Sequence, residues 1–426
     1  MPIACGDRNG CFNHGSPDSE EILSSIGCND KATCYNSEDA DGDTAIGIQF
    51  CAKRVRRMKV TVTAIKADIG SIGGHICPSK KLITEVEDTV KENGRGLIID
   101  HRVGYTGDDV SILMTHDRGI DDEQVHKVAW DAFLAGTAVA KSQGLYGAGQ
   151  DLLRDAFSGN TRGLGPAVAE MEFEERPNEP FLMFTADKTE PGAYNLPLFL
   201  AFADPMYNSG LILSPTGGKG YRFTVMDVDY IEGDRVVELV TPEDMYDLAA
   251  LLRDNGRYVV ESIHSRHNGD IAVSSCTTRL RNIAGKYVGK DDPIMLVRTQ
   301  RDFPATGEVL APFEITHYVA GFMRGSHTGP LTPVKAKSSV SFFDGPPIVS
   351  SLAFSIREGK LTEAIDVFDH PYWDWVRSKA AQKAHYIREQ GFSGAAMLGI
   401  HDLEYVGINH RLDALESRFA LRNSEK

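Results

Sequence analysis

The clearest hydrophobic pattern in the chain begins just after residue 57. Residues 60–65 (VTVTAI) alternate in the way typical of a strand that is buried mainly on one face, and this strand runs to Asp68 and a glycine-rich loop at 70–75. Residues 80–93 are predicted to form a helix that Gly94 ends. The other elements of this β-α-β-β-α succession are a buried strand at 97–99, a tight turn at 106–109 and a returning strand at 110–115. A long helix follows to Ala140, with Asp121 and Gln124 as its predicted cap.

The middle of the chain is rich in predicted strands. They are expected at 168–173, 181–185, 222–228, 236–240, 258–263 and 294–299. A helix at 242–254 interrupts them, and an amphipathic helix follows at 373–387. Strands whose apolar faces are covered by helices imply a layered α/β or α+β sandwich. Because no repeat or linker follows Met58, we predict one large domain over residues 58–426.

Composition and charge narrow the class of protein. The 426 residues are 42% hydrophobic, which is a globular composition. The formal net charge of −15 argues against a partner that is a nucleic acid or an anionic membrane, and it fits a protein that uses surplus carboxylates to hold hard cations. The longest apolar run, Leu196–Ala203, is far shorter than the ~20 residues that a membrane span needs.

The cysteines are concentrated at the N-terminus. Five of the seven lie within residues 1–57, so the large remainder lacks the cysteine content of a secreted disulfide protein, and we expect a reducing, cytosolic compartment. The Cys5/Cys11 and Cys28/Cys34 pairs are spaced more widely than the cysteines of structural zinc sites. A metal or redox role for this segment is therefore a less favoured hypothesis than two simpler ones: a disordered extension, or a translation start at Met58.

Several aspartates lie where predicted strands end. They are Asp68, Asp108, Asp109, Asp187, Asp291 and Asp292. Strand ends are rigid places from which to direct ligands into a cleft, and Mg²⁺ prefers oxygen ligands. For any single aspartate, the usual explanation is a turn that its side chain caps. The two Asp-Asp pairs, together with Asp68 before a loop that carries His75, favour a metal site.

A lysine in the stretch 285–293 is a candidate nucleophile. Lys290 as a free amine would form a Schiff base with a carbonyl substrate, although Asp291 and Asp292 would raise its pKa unless cations neutralised them. Tyr287 is placed to transfer protons. The plainer alternative is a solvated loop with a Lys–Asp pair. The chain contains no GxxxxGK[ST], HExxH or paired CxxC motif, which argues against a P-loop NTPase or a zinc protease.

Taken together, these residues resemble the bifunctional fructose-1,6-bisphosphate aldolase/phosphatases of archaea and deep-branching bacteria. The resemblance runs from Met58 nearly to the end, and residues 1–57 lie outside it. It rests on long strings at 65–71 (IKADIGS), 107–109 (GDD), 146–153 (YGAGQDLL), 157–160 (FSGN), 186–193 (ADKTEPGA), 283–293 (IAGKYVGKDDP), 323–327 (MRGSH) and 343–347 (FDGPP). One departure is local: Ile76-Cys77 follows His75 where the family often has a second histidine.

The resemblance implies a four-layer α-β-β-α sandwich, several Mg²⁺ ions per site and a homo-octamer. The implied reactions are the condensation of dihydroxyacetone phosphate with glyceraldehyde 3-phosphate, then hydrolysis of the 1-phosphate of fructose 1,6-bisphosphate to give fructose 6-phosphate. The implied catalytic residues are Lys290 for the Schiff base, Tyr287 for proton transfer and Asp68 as base for the attacking water. The implied metal ligands are Asp68, His75, Asp108, Asp109, Gln150, Asp187, Asp291 and Asp292. The implied substrate contacts are His75, Tyr146, Gly159, Asn160, Lys188, Gln300, Arg324, Asp344 and Tyr405.

Both activities would share the segment of Lys290 and the two aspartates after it, so we expect a loop that exchanges the lysine for metal ligands. Two alternatives stay open. One is a Mg²⁺-dependent phosphatase of another sugar or inositol phosphate, in which Lys290 only contacts phosphate. The other is a metal-dependent scaffold or sensor without catalysis.

Overall fold

The structure is a computed structural model, and it describes residues 33–38, 44–49, 58–152, 165–230, 233–275, 278–279, 291–321, 327–339, 346–390 and 407–422. The chain divides into two units, Met1–Arg57 and Met58–Lys426. In the first, strands β1 (Thr33–Glu38) and β2 (Thr44–Gln49) pair antiparallel. The second unit carries everything described below. The interpretation of residues 1–57 as an extension or a misassigned start stays a prediction.

The described strands of the second unit form two large sheets and a small one. In chain order they are β3 (Lys59–Asp68), β4 (Asp100–Thr106), β5 (Asp109–His116), β6 (Ala167–Glu174), β7 (Glu179–Asp187), β8 (Tyr221–Asp227), β9 (Arg235–Val240), β10 (Tyr258–Ser265), β11 (Ile271–Ser275), β12 (Thr278–Arg279), β13 (Ile294–Arg298), β14 (Tyr318–Gly321), β15 (His327–Pro330), β16 (Thr332–Pro333), β17 (Ile348–Arg357), β18 (Lys360–Leu361), β19 (Ile365–Asp366) and β20 (Ala420–Leu421).

The first large sheet has five strands in the order β12-β6-β3-β5-β4. The second has eleven strands: β16-β17-β7-β13-β11-β10-β8-β9-β20 form its path, and β18 and β19 pair with β17. Strands β14 and β15 form a separate two-stranded sheet. Between these described strands, every pairing is antiparallel except that of β16 with β17.

The helices are α1 (Lys80–Asn93), α2 (Glu123–Ser142), α3 (Asn195–Phe202), α4 (Gly210–Leu213), α5 (Met245–Leu252), α6 (Thr306–Leu310), α7 (Pro371–Gln390) and α8 (Gly407–Glu416). Short 3₁₀ turns lie at Gln150–Leu152, Gly217–Lys219 and Ala311–Ile315. The α1 helix begins where the Ser79 hydroxyl accepts the Leu82 N–H. The α2 helix begins where Asp122 accepts the N–H groups of Gln124 and Val125. Among the described residues, none of the helices has the length and apolar character needed to span a bilayer.

Alternate side chains of β3 enter two different hydrophobic cores. Ile65 and Ala67 pack with α1 and α2, whereas Val60, Val62 and Ala64 pack with β7, β13 and β17 of the eleven-stranded sheet. The opposite face of that larger sheet packs against α3, α5, α7 and α8. The predicted mixed α/β class is confirmed. The four-layer α-β-β-α arrangement stays a prediction, with which this order of cores agrees.

Most predicted elements are present, with two local errors. The predicted strand at 97–99 is wrong, because these residues form the turn after α1 and β4 begins only at Asp100. The predicted cap of the second helix lies one residue too early, since Asp122 and not Asp121 caps α2. Neither error concerns a residue that was predicted to belong to the site.

Candidate active site

The site lies where four strand ends meet between the two large sheets. Asp68 is the last residue of β3 and lies opposite Asp109, the first residue of β5. Asp187 ends β7, and Asp292 precedes β13, which pairs with β7 through Ile294 and Thr185. Strand alternation directs the Asp68 and Asp109 side chains to the face that meets the eleven-stranded sheet. The register of the sheets therefore gathers carboxylates from distant parts of the chain.

Asp68, His75 and Asp108 form the first group, which we call the histidine cluster. One ligand atom from each lies within 4.8 Å of the others. The Nδ1 atom of His75 is 2.8 Å from Oδ2 of Asp108 and 3.7 Å from Oδ2 of Asp68. Burial and the neighbouring Asp108 and Asp109 carboxylates raise the pKa of Asp68 well above its usual value. Burial alone would raise the pKa of Asp108 too, but Lys188 and His75 hold it below its usual range.

Asp109, Asp187 and Asp292 form the second group, which we call the carboxylate triad. One oxygen from each lies within 4.8 Å of the others. The Asp292 side chain accepts the Thr189 N–H at 2.7 Å, and its own N–H donates to Thr189 O at 3.0 Å, which ties the start of β13 to the end of β7. Burial raises the pKa of Asp187 well above its usual value, and burial together with Asp291 raises that of Asp292 to about 7.

The two clusters fit hard divalent cations. Their donors are carboxylate oxygens and one imidazole nitrogen, and oxygen donors are the ligands that Mg²⁺ and similar cations prefer. Oδ1 of Asp187 is buried, and within the described residues it forms an ion pair with the Lys188 ammonium at 3.0 Å, so a carboxylate oxygen with no aligned hydrogen bond lies at the triad. The raised pKa values of Asp68 and Asp187 show that these buried negative charges lack full compensation within the protein.

Two lysines contact the clusters, one slightly exposed and one fully buried. Lys188 Nζ lies 2.5 Å from Asp108 Oδ1 and 3.0 Å from Asp187 Oδ1, so it bridges the histidine cluster and the triad with 10% of its side chain exposed. Lys66 is 1% exposed, and its ammonium contacts Asp109 Oδ2 and donates to Ala186 O at 3.1 Å. Lys188 is thus placed to reach a bound molecule, whereas Lys66 is confined to the gap between the sheets.

Loops around β3 bring further predicted residues to the site. Tyr146 pairs with Ser71 through reciprocal backbone hydrogen bonds of 2.9 Å, and its ring packs edge-on against His75 at 4.8 Å between centroids. Gln150 begins the 3₁₀ turn in which Oδ2 of Asp151 accepts the Asp68 N–H at 2.8 Å. The structure therefore places Tyr146 beside the histidine cluster and Gln150 in the turn that contacts Asp68.

Gln300 is not brought to the clusters. It lies beyond the opposite end of β13 from Asp292, and the five residues of that strand alone span about 16 Å. Its side chain donates to Thr306 Oγ1 at 3.3 Å, and its carbonyl accepts from Arg176 at 3.0 Å. Within the described part of one chain, Gln300 belongs to a different surface from the acidic clusters.

The remaining predicted residues fall into two sets. Asp291 is described and adjoins Asp292, whose pKa it raises. Seven residues lie outside the described part of the chain: Tyr287, Lys290, Gly159, Asn160, Arg324, Asp344 and Tyr405.

Sequence reasoning missed Lys66 and a group of hydroxyls. Lys66 lies on the same face of β3 as Val62, Ala64 and Asp68. A lysine at a position that the strand alternation predicts to be buried could therefore have indicated its role. The hydroxyls of Thr106, Thr185 and Ser350 hydrogen-bond one another at 2.5–2.9 Å between the sheets. No local sequence pattern predicts this cluster of hydroxyl groups, because its three residues come from three separate strands.

Gly107 leaves room for Asp187 in the turn between β4 and β5. Its φ is +60°, and a Cβ atom there would lie 1.6 Å from Asp187 Oδ2. The Asp108 N–H lies 3.4 Å from the same oxygen. The turn therefore requires glycine both for its backbone angle and for the approach of the carboxylate.

An α/β protein with two buried carboxylate clusters between its sheets has the donor atoms of a protein that can bind divalent metal ions. Sequence comparison makes this specific: the family described as fructose-1,6-bisphosphatase matches residues 59–420. The chain is 56% identical over 363 residues to the fructose-1,6-bisphosphate aldolase/phosphatase of Thermus thermophilus, covering 85% of this chain and 100% of the relative. Proteins of the same name from Cenarchaeum symbiosum and Methanothermobacter marburgensis are 52% and 47% identical, over 85% of this chain and 95% and 99% of their own lengths.

The chain therefore belongs to the fructose-1,6-bisphosphate aldolase/phosphatase family, and the resemblance drawn from its sequence is confirmed.

Proposed function

We propose that this protein condenses dihydroxyacetone phosphate with glyceraldehyde 3-phosphate and then removes the 1-phosphate of the resulting fructose 1,6-bisphosphate. The observation that carries the proposal is the junction of the histidine cluster and the carboxylate triad through Lys188. Asp292 of the triad is only two residues from Lys290, so the proposed nucleophile and the proposed metal ligands share one segment. We therefore propose a single cavity for both reactions.

We propose Mg²⁺ as the metal, held by the histidine cluster, the triad, Asp291 and Gln150. When bound, Mg²⁺ supplies positive charge that offsets the phosphate oxygens and favours ionisation of water. Asp68, whose carboxylate lies in the histidine cluster, is the proposed base that accepts a proton from the attacking water. Lys188 is positioned to donate to a phosphate oxygen, because it is the accessible lysine that touches both clusters.

For the aldol step, we propose that the Lys290 amine attacks the ketone carbon of dihydroxyacetone phosphate and that water leaves as the iminium forms. The iminium acidifies the neighbouring carbon, Tyr287 transfers the proton, and the enamine attacks the aldehyde. Hydrolysis of the iminium by water then restores the Lys290 amine and releases the bisphosphate. Substrate contacts from Tyr146, Gly159, Asn160, Gln300, Arg324, Asp344 and Tyr405, a homo-octameric assembly and a cytoplasmic location stay predictions.

The direct test is incubation of the purified protein with both triose phosphates and Mg²⁺, following fructose 6-phosphate and free phosphate together. We expect the two products in equal amounts and neither after chelation of Mg²⁺.

Lys290→Arg should abolish the aldol step and spare much of the hydrolysis of fructose 1,6-bisphosphate, because arginine keeps the charge but cannot form the iminium. Lys127→Arg, at an exposed lysine of α2, is the matched control and should leave both rates unchanged.

The alternatives give different results in the same experiments. A phosphatase without aldolase activity would release phosphate from the bisphosphate, yet borohydride with dihydroxyacetone phosphate would trap no adduct on Lys290. A scaffold would bind Mg²⁺ and release no phosphate. Equal loss of both activities in Lys290→Arg would contradict the division of roles proposed here.

A further inference from the structure

Lys66 is a buried charge that the proposed reaction does not use. It lies on the inward face of β3, two residues before Asp68, with 1% of its side chain exposed. A side chain so enclosed cannot touch a substrate. Burying an ammonium group is costly unless it is paired, so its partners indicate what it does.

Those partners belong to the carboxylate triad and to the facing sheet. The Lys66 ammonium contacts Asp109 Oδ2 within its own sheet and donates to the Ala186 carbonyl of β7 at 3.1 Å. Ala186 directly precedes Asp187. One ammonium therefore fixes the strand of Asp109 and the strand of Asp187 at the points where the triad is assembled.

Charge counting separates the roles of the two lysines. Lys188 bridges Asp108 and Asp187 from the accessible side, and Lys66 contacts Asp109 from the sealed side. The triad carries three formal negative charges, of which Lys188 offsets the charge at Asp187 and Lys66 offsets the charge at Asp109. Without Lys66, three carboxylates would converge with no cation fixed beneath them, and their mutual repulsion would rise.

We infer that Lys66 is a positioning residue: a built-in cation that holds the Asp109–Asp187–Asp292 triad together when no divalent ion is bound. The inference rests on the proposed function, because it takes the triad as a Mg²⁺ site. Removing Lys66 makes the fold of this region depend on Mg²⁺. A lysine that only filled space or joined the sheets would stabilise the protein equally with and without the metal.

The experiment compares thermal unfolding of the wild type and Lys66→Met, each in EDTA and in excess Mg²⁺. Methionine keeps the approximate length of the side chain and removes its charge. We expect Lys66→Met to melt at least about 4 °C below the wild type in EDTA, and Mg²⁺ to recover most of that loss. The Mg²⁺-induced shift in melting temperature should therefore be larger in the variant than in the wild type. Lys127→Met, at an exposed ion pair, should change the melting temperature by the same small amount in both conditions.

A second variant keeps the test decisive if Lys66→Met does not fold in EDTA. Lys66→Met/Asp109→Asn removes the ammonium and its carboxylate together, so in EDTA it should melt above the single variant. Equal losses in EDTA and Mg²⁺, or a double variant no more stable than the single one, would overturn the inference while leaving the Mg²⁺ site intact. Absence of any Mg²⁺-induced shift in the wild type would instead overturn the proposed metal site, and the inference with it.

Discussion

The Glu179 carboxylate shows how strongly one residue can determine the charge balance of this protein. The guanidinium groups of Arg176 and Arg298 each donate two hydrogen bonds to it at 2.6–3.0 Å, and none of the three side chains is more than 5% exposed. Arg298 also lies over the Phe173 ring, 4.0 Å from its centroid. Two buried guanidinium groups thus depend on one carboxylate, which differs from the acidic clusters, where carboxylates outnumber cations.

Glu179→Gln should therefore destabilise the protein strongly. We expect a loss of about 3–5 kcal/mol in the free energy of unfolding at pH 7, because two buried cations lose their counter-charge. Burial alone would raise the pKa of Glu179, but the two arginines hold it below its usual value. The stabilisation is thus complete above the unfolded pKa near 4.5 and is lost as pH falls through the lower folded pKa, so the difference from the wild type should narrow below about pH 4.5.

Chemical denaturation at several pH values measures this difference. Asp131→Asn is the matched control, because Asp131 pairs with Lys127 on the exposed face of α2 and should cost at most about 0.5 kcal/mol. A Glu179→Gln loss as small as that of the control, or one independent of pH, would contradict the assignment.

At the scale of elements, the β4–β5 turn controls the geometry of the triad. Gly107→Ala places a methyl group where Asp187 Oδ2 now lies and also forces alanine to adopt a φ of +60°. The backbone penalty is about 1–2 kcal/mol, and the displaced carboxylate should remove most of the Mg²⁺-induced rise in melting temperature. Thermal unfolding with and without Mg²⁺ measures both effects.

Gly96→Ala separates the clash from the backbone strain. Gly96 has a φ of +75°, but a Cβ atom there would meet nothing within 4 Å. This variant should lose similar stability and keep the full response to Mg²⁺. If Gly107→Ala also kept that response, the fit between the turn and Asp187 would not matter for metal binding.

Some helices and strands could be predicted from the sequence, and others could not. Strand β3 and helix α1 were predictable because their apolar positions repeat with the period of the element. Strand β17, ten residues long, went unpredicted because its buried Ser350 and Ser351 read as polar, although Ser350 hydrogen-bonds hydroxyls across the gap between the sheets. Residues 97–99 read as a strand because they are apolar, whereas they close the end of α1.

The candidate site, like the fold, could be predicted only in part from the sequence. Aspartates at strand ends signalled the two clusters, because strand ends and turns are visible in sequence. The division into a histidine cluster and a triad was not, since it depends on the register of β3 with β5 and of β7 with β13. Lys66 and the separation of Gln300 from the triad likewise follow from three-dimensional strand positions, which no local pattern encodes.

At the scale of the whole molecule, the second unit contains every described residue of the site. The ligands of both clusters lie at strand ends of the two large sheets or in the loops and turns next to them, and both sheets begin after Met58. The matched family also begins there, at residue 59, and the alignment with the Thermus thermophilus relative covers the complete length of that protein and 85% of this chain. The parts needed for the proposed chemistry are thus the parts shared with the relatives.

We therefore expect a chain that starts at Met58 to keep the melting temperature, the Mg²⁺ response and both proposed activities of the full chain. Its two cores around β3 use residues from Val60 onward, and the β3 pairings begin at Lys59. A chain that starts at Thr63 is the informative comparison, because it removes Val60 and Val62 from the core between the sheets and should unfold at a markedly lower temperature. A large loss of stability or activity on removing only residues 1–57 would show that the N-terminal segment supports the catalytic unit, and it would contradict its interpretation as a dispensable extension.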